Sequence, residues 1–119
     1  MVPCPAVLTL TVGLTCTAPV ELIVDGDTAW MRFADQSRKV RIIGIDTPER
    51  GEPGFKAATD AARARWKDRM ARLTIGGAEG RRKGKCYGSA VLDRYGRVLA
   101  AVDGWPETVG VWDKGPWCR

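Results

Sequence analysis

The sequence has no histidine among its 119 residues. Imidazole is the usual general base of hydrolytic enzymes and a common metal ligand, so every chemistry that needs it is excluded. Cysteine is scarce, and no two of the four cysteines have the close paired spacing of a zinc site. A zinc ion is therefore not expected, and one disulfide, two disulfides or four free thiols all stay open. The cysteines are Cys4, Cys16, Cys86 and Cys118.

The sequence also has no apolar run long enough to cross a membrane, and its first 20 residues carry no charge. Apolar residues alternate with threonines in this segment, which is the two-residue period of a β-strand. A weak signal-like segment is the alternative, although it would lack the positive start of a signal peptide. We favour a strand within residues 1–19, which Pro19 ends or bends. The alternating apolar residues are Leu8, Leu10, Val12, Leu14 and Cys16.

Positive charge is absent from the beginning of the chain and concentrated in the rest. All 19 lysines and arginines lie from Arg32 onward, against 11 of the 14 acidic residues, so this part carries +8 where the whole chain carries +5. Such an excess favours a polyanionic partner such as nucleic acid. A solvated basic surface without a partner is an equally open alternative.

Hydrophobic periodicity predicts a single barrel domain over residues 20–119. Three strands, a helix and two strands is the element order of a five-stranded OB-fold Greek-key barrel. We therefore predict a mainly β, α+β fold with one major helix, to which the N-terminal strand is an addition. The strands are predicted at 20–24, 28–33, 38–46, 86–92 and 97–102, and the helix at 55–73.

Three short motifs combine carboxylates with arginines. The first, DGDT at 25–28, is a strong turn signal, and the third, DRYGR at 93–97, is a second turn. The motif between them, RIIGIDTPE at 41–49, is an apolar strand with a charged exit. Each motif taken alone is explained by local structure, so only their combination points to a site.

The middle motif poses a geometric problem. Arg41 and Asp46 have opposite parity, and a regular strand would place them on opposite faces. A bulge or sharp bend at Gly44 is therefore predicted, because it would bring both side chains to one pocket. Pro48 keeps Thr47 extended, which holds its carbonyl at the strand end.

Together and in this order, the three motifs resemble the staphylococcal nuclease family over about residues 20–102. The resemblance implies that Asp27 and Asp46 bind one calcium ion together with the Thr47 backbone carbonyl, an all-oxygen set suited to a hard cation. It further implies that Glu49 acts as the general base toward water, which agrees with the absence of histidine.

The resemblance assigns the cationic residues to the substrate. It implies that Arg41 and Arg97 clamp the phosphate, since their permanent forked charge suits a phosphoryl group that gains negative charge. Arg94 and Tyr95 stand where the family contacts the terminal phosphate of a bound nucleotide, and we expect them to bind substrate.

The activity implied by the resemblance is calcium-dependent hydrolysis of single-stranded DNA and RNA that leaves 3′-phosphate ends. We expect a monomer that lacks the C-terminal helices usual in the family. Its compartment would be secreted or periplasmic by resemblance, and cytoplasmic if the N-terminal segment is a retained strand. The alternative function is a non-catalytic OB-fold module that binds nucleic acid or protein.

Overall fold

The fold comes from a computed structural model, which describes residues 2–45, 47–76, 80–82, 85–87 and 90–105. A short 3₁₀ turn at Val7–Thr9 precedes the first strand. The remaining elements are β1 Thr15–Asp25, β2 Thr28–Phe33, β3 Gln36–Ile42, α1 Phe55–Trp66, β4 Met70–Ile75, β5 Gly80–Arg82, β6 Lys85–Tyr87 and β7 Val98–Val102.

Five of these strands close into a barrel in the order β1-β2-β3-β7-β4. The β3–β7 pair is parallel and the other neighbours are antiparallel, so the barrel is mixed. Helix α1 contacts β1, and its Ala62 and Trp66 belong to the same buried core as the barrel residues. This architecture confirms the predicted α+β OB fold. Within the described residues, no helix has the length and apolar character needed to span a membrane.

The barrel interior is filled by alternate residues of its strands. Ala29, Met31 and Phe33 of β2 face inward and are fully buried, as are Val40 and Ile42 of β3. The residues between them point to the outer face, which is the two-residue period of a half-buried strand. The outer face of β2 and β3 is therefore available to build a site.

The N-terminal segment differs from the predicted strand. The buried residues there are Cys4, Val7 and Leu10, whereas Leu8 is 98% exposed. This three-residue spacing suits the 3₁₀ turn, in which residues i and i+3 eclipse, and it overrides the threonine alternation. β1 begins only at Thr15.

Pro19 lies within β1, so of the two outcomes predicted for it, ending or bending the strand, the first is wrong. Up to Pro19 the strand pairs with β4, and from Val20 onward it pairs with β2. Proline has no N–H to donate, so the point where β1 changes partner is a position that tolerates it. The predicted strand at 20–24 is thus the second half of a longer strand.

A disulfide joins Cys4 to Cys16, with 4.8 Å between their Cα atoms. It ties the N-terminal segment to β1, where the Cys4 amide also donates to the Thr17 carbonyl at 2.8 Å. This bond is one of the pairings that the sequence left open. The Cys86 side chain and Cys118 lie outside the described residues.

Replacing both Cys4 and Cys16 by alanine is expected to lower the free energy of unfolding by about 3 kcal/mol, because the cross-link restricts a loop of 12 residues in the unfolded chain. Alanine adds no polar group at these buried positions. Urea denaturation of the double variant beside the wild type measures the loss. Equal midpoints and slopes would contradict a stabilising role for the disulfide.

The predicted helix at 55–73 is correct only in its first part. α1 ends at Trp66, and Asp68 has a positive φ of 62°, which stops helical winding. Residues 70–75 instead form β4, in which Ala71, Leu73 and Ile75 alternate with exposed neighbours. The spacing of Trp66 to Leu73 also fits a helical face, so the two periods overlapped and the strand was missed.

The last predicted strands are partly wrong as well. In place of the strand expected at 86–92, the structure has the short strand β6. Among the described residues, β6 pairs with β5 in a separate two-stranded sheet. The fourth strand of the barrel is β4, and β7 completes the barrel near the predicted 97–102. The third predicted strand, 38–46, is shifted and ends at Ile42, where the chain turns.

Candidate active site

The turn between β1 and β2 carries the first acidic motif. It packs closely against the loop that holds Thr47 and against helix α1. A Cβ atom added at Gly26 would lie 2.9 Å from the Thr47 side chain and 3.0 Å from Ala58 Cβ in α1. Real Cβ contacts are essentially never that short, so glycine is required here by close approach. The missing side chain lets the turn lie directly against the loop that holds Thr47.

Trp105, 79 residues after Gly26 in the chain, contacts the same turn. Its indole Nε1 donates a hydrogen bond to the Gly26 carbonyl at 2.8 Å, and the residue is completely buried. Its ring stacks on Trp66 of α1, with 5.1 Å between ring centroids and 11° between planes. A buried aromatic pair with a satisfied N–H is rigid, so the turn is held in one position.

Asp27 is buried at the end of this turn with both carboxylate oxygens in use. Oδ1 accepts a hydrogen bond from the Thr28 hydroxyl at 3.0 Å. Oδ2 accepts from the Thr47 amide at 3.3 Å and lies 3.4 Å from Arg41 Nη2. These contacts join the first motif to the second across the barrel surface.

Arg41 is buried on the outer face of β3, with 7% of its surface exposed. Its guanidinium donates to the carbonyl of Ile42 and to the carbonyl of Ile45 at 3.1 Å, so the loop after β3 folds around it. Gly44 has a φ of +84° within that loop, which is the sharp bend predicted from the sequence. Asp46 lies outside the described residues, so its convergence with Arg41 stays a prediction.

The turn before β7 orients Arg97 through a carboxylate that the sequence left without a role. Asp93 Oδ2 accepts from Arg97 Nε at 2.6 Å, and Asp93 Oδ1 accepts from the amides of Tyr95 and Arg97, both at 2.9 Å. The Asp93 side chain is only 6% exposed, so the ion pair is partly shielded from solvent. Its position at the head of DRYGR, where Asp favours a turn, was the available signal.

These elements enclose a polar cavity of about 190 Å³. It gathers five of the predicted site residues, and Asp25, which was not among those predicted for the site, also lines it. Glu49 is exposed at this cavity, and its carboxylate has no hydrogen-bond partner among the residues that the structure describes. The lining residues are Asp25, Asp27, Thr28, Arg41, Thr47, Pro48, Glu49 and Arg97.

The two remaining predicted residues lie beside this cavity. Tyr95 is 68% exposed and lines a larger neighbouring cavity of about 450 Å³, to which Arg97 also contributes. Arg94 lines neither of these two cavities. Its Nη2 donates to the Tyr95 hydroxyl at 2.8 Å and its guanidinium carbon lies 4.9 Å from the ring centroid. In this arrangement Arg94 contacts Tyr95 and does not line the cavity of about 190 Å³.

Burial in the turn raises the pKa of Asp25 to about 6, and the adjacent Asp27 carboxylate adds to the increase. In the unfolded chain an aspartate ionises near a pKa of about 4. The folded protein thus binds more protons than the unfolded one between about pH 4 and pH 6, and its stability falls as pH rises through that window. Above about pH 6 the cost of ionised Asp25 is fully present.

Asp25→Asn is therefore expected to stabilise the protein at neutral pH when a chelator keeps cations away. Asparagine keeps the oxygen that accepts the Asp27 amide at 3.0 Å. Since Asp25 is only partly buried, solvent screens much of the cost, and a gain of about 1 kcal/mol is expected at pH 8. Urea denaturation of both proteins from pH 4 to pH 8 measures it. A gain that does not shrink toward pH 4 would contradict this explanation.

The oxygen donors of the cavity suit a hard divalent cation. Asp25, Asp27 and Glu49 contribute carboxylates to the cavity lining, which contains no histidine or cysteine. Among the described residues, which do not include Asp46, no three acidic, cysteine or histidine side chains cluster as a metal site. The donor chemistry fits calcium, and Asp46, the other carboxylate predicted as a ligand, lies outside the described residues.

The chain is similar to a curated protein of named activity over part of its length. No protein-family model matches the chain. A curated thermonuclease from Staphylococcus intermedius is 32% identical over 89 residues, which cover 70% of this chain and 46% of the thermonuclease. The chain thus spans about half the length of the relative it matches. It is similar to a thermonuclease over that part.

Proposed function

We propose that this protein is a calcium-dependent phosphodiesterase that hydrolyses DNA and RNA and leaves 3′-phosphate ends. The observation that carries the proposal is the polar cavity in which Arg41, Arg97 and Glu49 meet Asp27 and Thr47. Two arginines beside carboxylates are what a phosphodiester and its attacking water require. The similarity to a thermonuclease supports the same reaction.

The two arginines would stabilise the phosphoryl group. Arg41 is oriented by the carbonyls of Ile42 and Ile45, and Arg97 is oriented by Asp93. Because both guanidinium groups are held before substrate arrives, little reorganisation is needed as charge builds on the phosphoryl oxygens. Their forked donors match those oxygens better than lysine would.

Glu49 would act as the general base. Its carboxylate lines the cavity and is exposed, so a water molecule can reach it. Glu49 takes a proton from that water while the water oxygen bonds to phosphorus and the bond from phosphorus to the 5′-oxygen breaks. The products are a 3′-phosphate and a 5′-hydroxyl, whose oxygen takes a proton from solvent as it leaves.

Asp27 and the Thr47 carbonyl, together with Asp46, would hold the calcium ion. When bound, the ion supplies positive charge that offsets the phosphate's negative charge. Asp27 is already fixed by the Thr28 hydroxyl and the Thr47 amide, so its position does not depend on the ion. We infer that the chain positions this ligand in advance.

Cleavage of matched DNA and RNA oligonucleotides tests the proposed reaction. Since water is the nucleophile, the ribose 2′-hydroxyl is not needed, and both substrates should be cut with calcium to linear 3′-phosphate ends. End-labelled products separated on a gel, before and after phosphatase treatment, identify those ends. Cleavage of RNA alone, or 2′,3′-cyclic phosphate products, would rule out this mechanism.

A further inference from the structure

The outer face of the barrel carries a row of side chains next to the active-site cavity. Leu22 of β1 is paired with Trp30 of β2, which is paired with Lys39 of β3. Arg97 lies one residue before Val98, just as Lys39 lies one residue before its partner Val40. These four residues, here called the outer row, therefore run side by side across four strands.

Trp30 and Lys39 of the outer row lie two residues along their strands from Thr28 and Arg41. Thr28 and Arg41, which line the catalytic cavity, are the next cross-strand pair on the same face after Trp30 and Lys39. Two residues along a strand correspond to roughly 7 Å. A ligand with its phosphate at Arg41 would thus reach Trp30 with the adjoining part of the molecule.

A second cavity of about 450 Å³ lies over three residues of this row, Trp30, Lys39 and Arg97. Its size is in the range of small-molecule sites, and Arg97 belongs to it as well as to the catalytic cavity. The two cavities therefore share Arg97 as a lining residue. The second is lined by Trp30, Arg38, Lys39, Tyr95, Gly96 and Arg97.

Two of the three cations of this second cavity, Arg38 and Lys39, differ from other cations on the same surface. Lys39 Nζ lies 5.4 Å from the centroid of the Trp30 ring, and Arg38 Nη2 reaches the Gly96 carbonyl at 3.5 Å. Within the described part of the chain, neither cation has a carboxylate within 4.0 Å. Arg32, farther along β2, is neutralised by Glu21 at 2.9 Å.

We propose that the second cavity is a nucleotide subsite for single-stranded nucleic acid, in which the base next to the scissile phosphate stacks on Trp30 and the following phosphate is bound by Arg38 and Lys39. This inference rests on the proposed function, because the strand reaches the subsite from the phosphate held at Arg97. It adds Trp30, Arg38 and Lys39 to Tyr95, which lines the same cavity.

The chemistry of the subsite matches this ligand. Proteins that hold single strands combine a positively charged groove with aromatic rings on which bases stack. Trp30 is only partly buried and Tyr95 is 68% exposed, so both aromatic groups are accessible. Lys39 is long and flexible, which lets its ammonium move from the ring to a phosphate when a base arrives.

Binding of a short fluorescein-labelled oligothymidylate, followed by anisotropy in the uncleaving Glu49→Gln background, tests the subsite without relying on catalysis. Trp30→Leu keeps an apolar side chain and should raise the Kd at least about fivefold, whereas Trp30→Phe should retain most of the affinity. Lys39→Gln should reduce the slope of log K against log salt by about 0.7. Circular dichroism checks that each variant is folded.

Lys56→Gln is the matched control, because Lys56 lies on α1, is 88% exposed and lines neither cavity. It should leave the Kd and the salt slope close to those of the parent protein. The inference is overturned if folded Trp30→Leu and Lys39→Gln bind the oligothymidylate as the parent does. Since cleavage is measured separately, a chain that binds through the outer row but cuts nothing would refute the proposed function and leave the subsite intact.

Discussion

Glu49→Gln is expected to lower kcat on single-stranded DNA by about 10²- to 10⁴-fold, the usual contribution of a general base. Glutamine has the same shape but cannot accept a proton from water. Because Glu49 is exposed and its side chain has no hydrogen-bond partner in the described part of the chain, folding should be unaffected. Steady-state kinetics with calcium, together with thermal denaturation, measure both properties.

Glu52→Gln is the control for that substitution. Glu52 is an exposed neighbour whose Oε1 accepts the Glu49 amide at 2.7 Å, and glutamine keeps this acceptor. The variant loses one negative charge close to the site but does not line the cavity. Near wild-type kcat is expected. A Glu49→Gln protein as active as Glu52→Gln would remove Glu49 from the mechanism.

Arg97→Lys is expected to reduce kcat/KM by about 10²- to 10³-fold although the charge is kept. Lysine lacks the forked donors. It also has no Nε, the atom through which Arg97 pairs with Asp93 at 2.6 Å. It therefore loses both the orientation and the paired contact with the phosphoryl oxygens. Kinetics on single-stranded DNA over a range of substrate concentrations measure the effect.

Arg32→Lys provides the matched control for Arg97→Lys. Arg32 also lies on the outer face and is paired with a carboxylate, Glu21, but it lines neither cavity. Its replacement should leave kcat/KM close to the wild-type value. If Arg32→Lys and Arg97→Lys have equal effects, Arg97 acts through general surface charge and not through the phosphate.

Five cavity residues could be predicted from the sequence because they belong to three short motifs whose combination resembles the staphylococcal nuclease family. Asp27 follows an Asp-Gly turn, Glu49 follows Pro48 in the loop after β3, and Arg97 directly precedes β7. The parity conflict between Arg41 and Asp46 predicted a bend at Gly44, where the structure has one. Each motif alone is explained by local structure, so the combination was needed.

The strand β4 was missed because a helical and a strand period coincided. Trp66, Met70 and Leu73 fit one face of a helix, but the same segment also alternates as β4. The barrel decides the outcome, since β4 must pair with β1 and β7 to close it. Such closure depends on partners distant in sequence, which a window of neighbouring residues does not contain.

The support of the site was not visible in the sequence for a similar reason. Trp105 donates to Gly26, 79 residues earlier, and the contact of Gly26 with Ala58 depends on where α1 packs. The raised pKa of Asp25 arises from burial in the folded turn, which no motif states. Asp93 was visible as a turn residue, but its ion pair with Arg97 required coordinates.

The most direct test of the central claim is release of acid-soluble nucleotides from single-stranded DNA by the wild-type chain at mildly alkaline pH. We predict release with calcium, its loss with a chelator, and its return when calcium is restored in excess. A folded chain that binds the DNA but releases no nucleotides under any of these conditions would contradict the nuclease proposal. That result would identify the protein as a non-catalytic OB-fold module that binds nucleic acid.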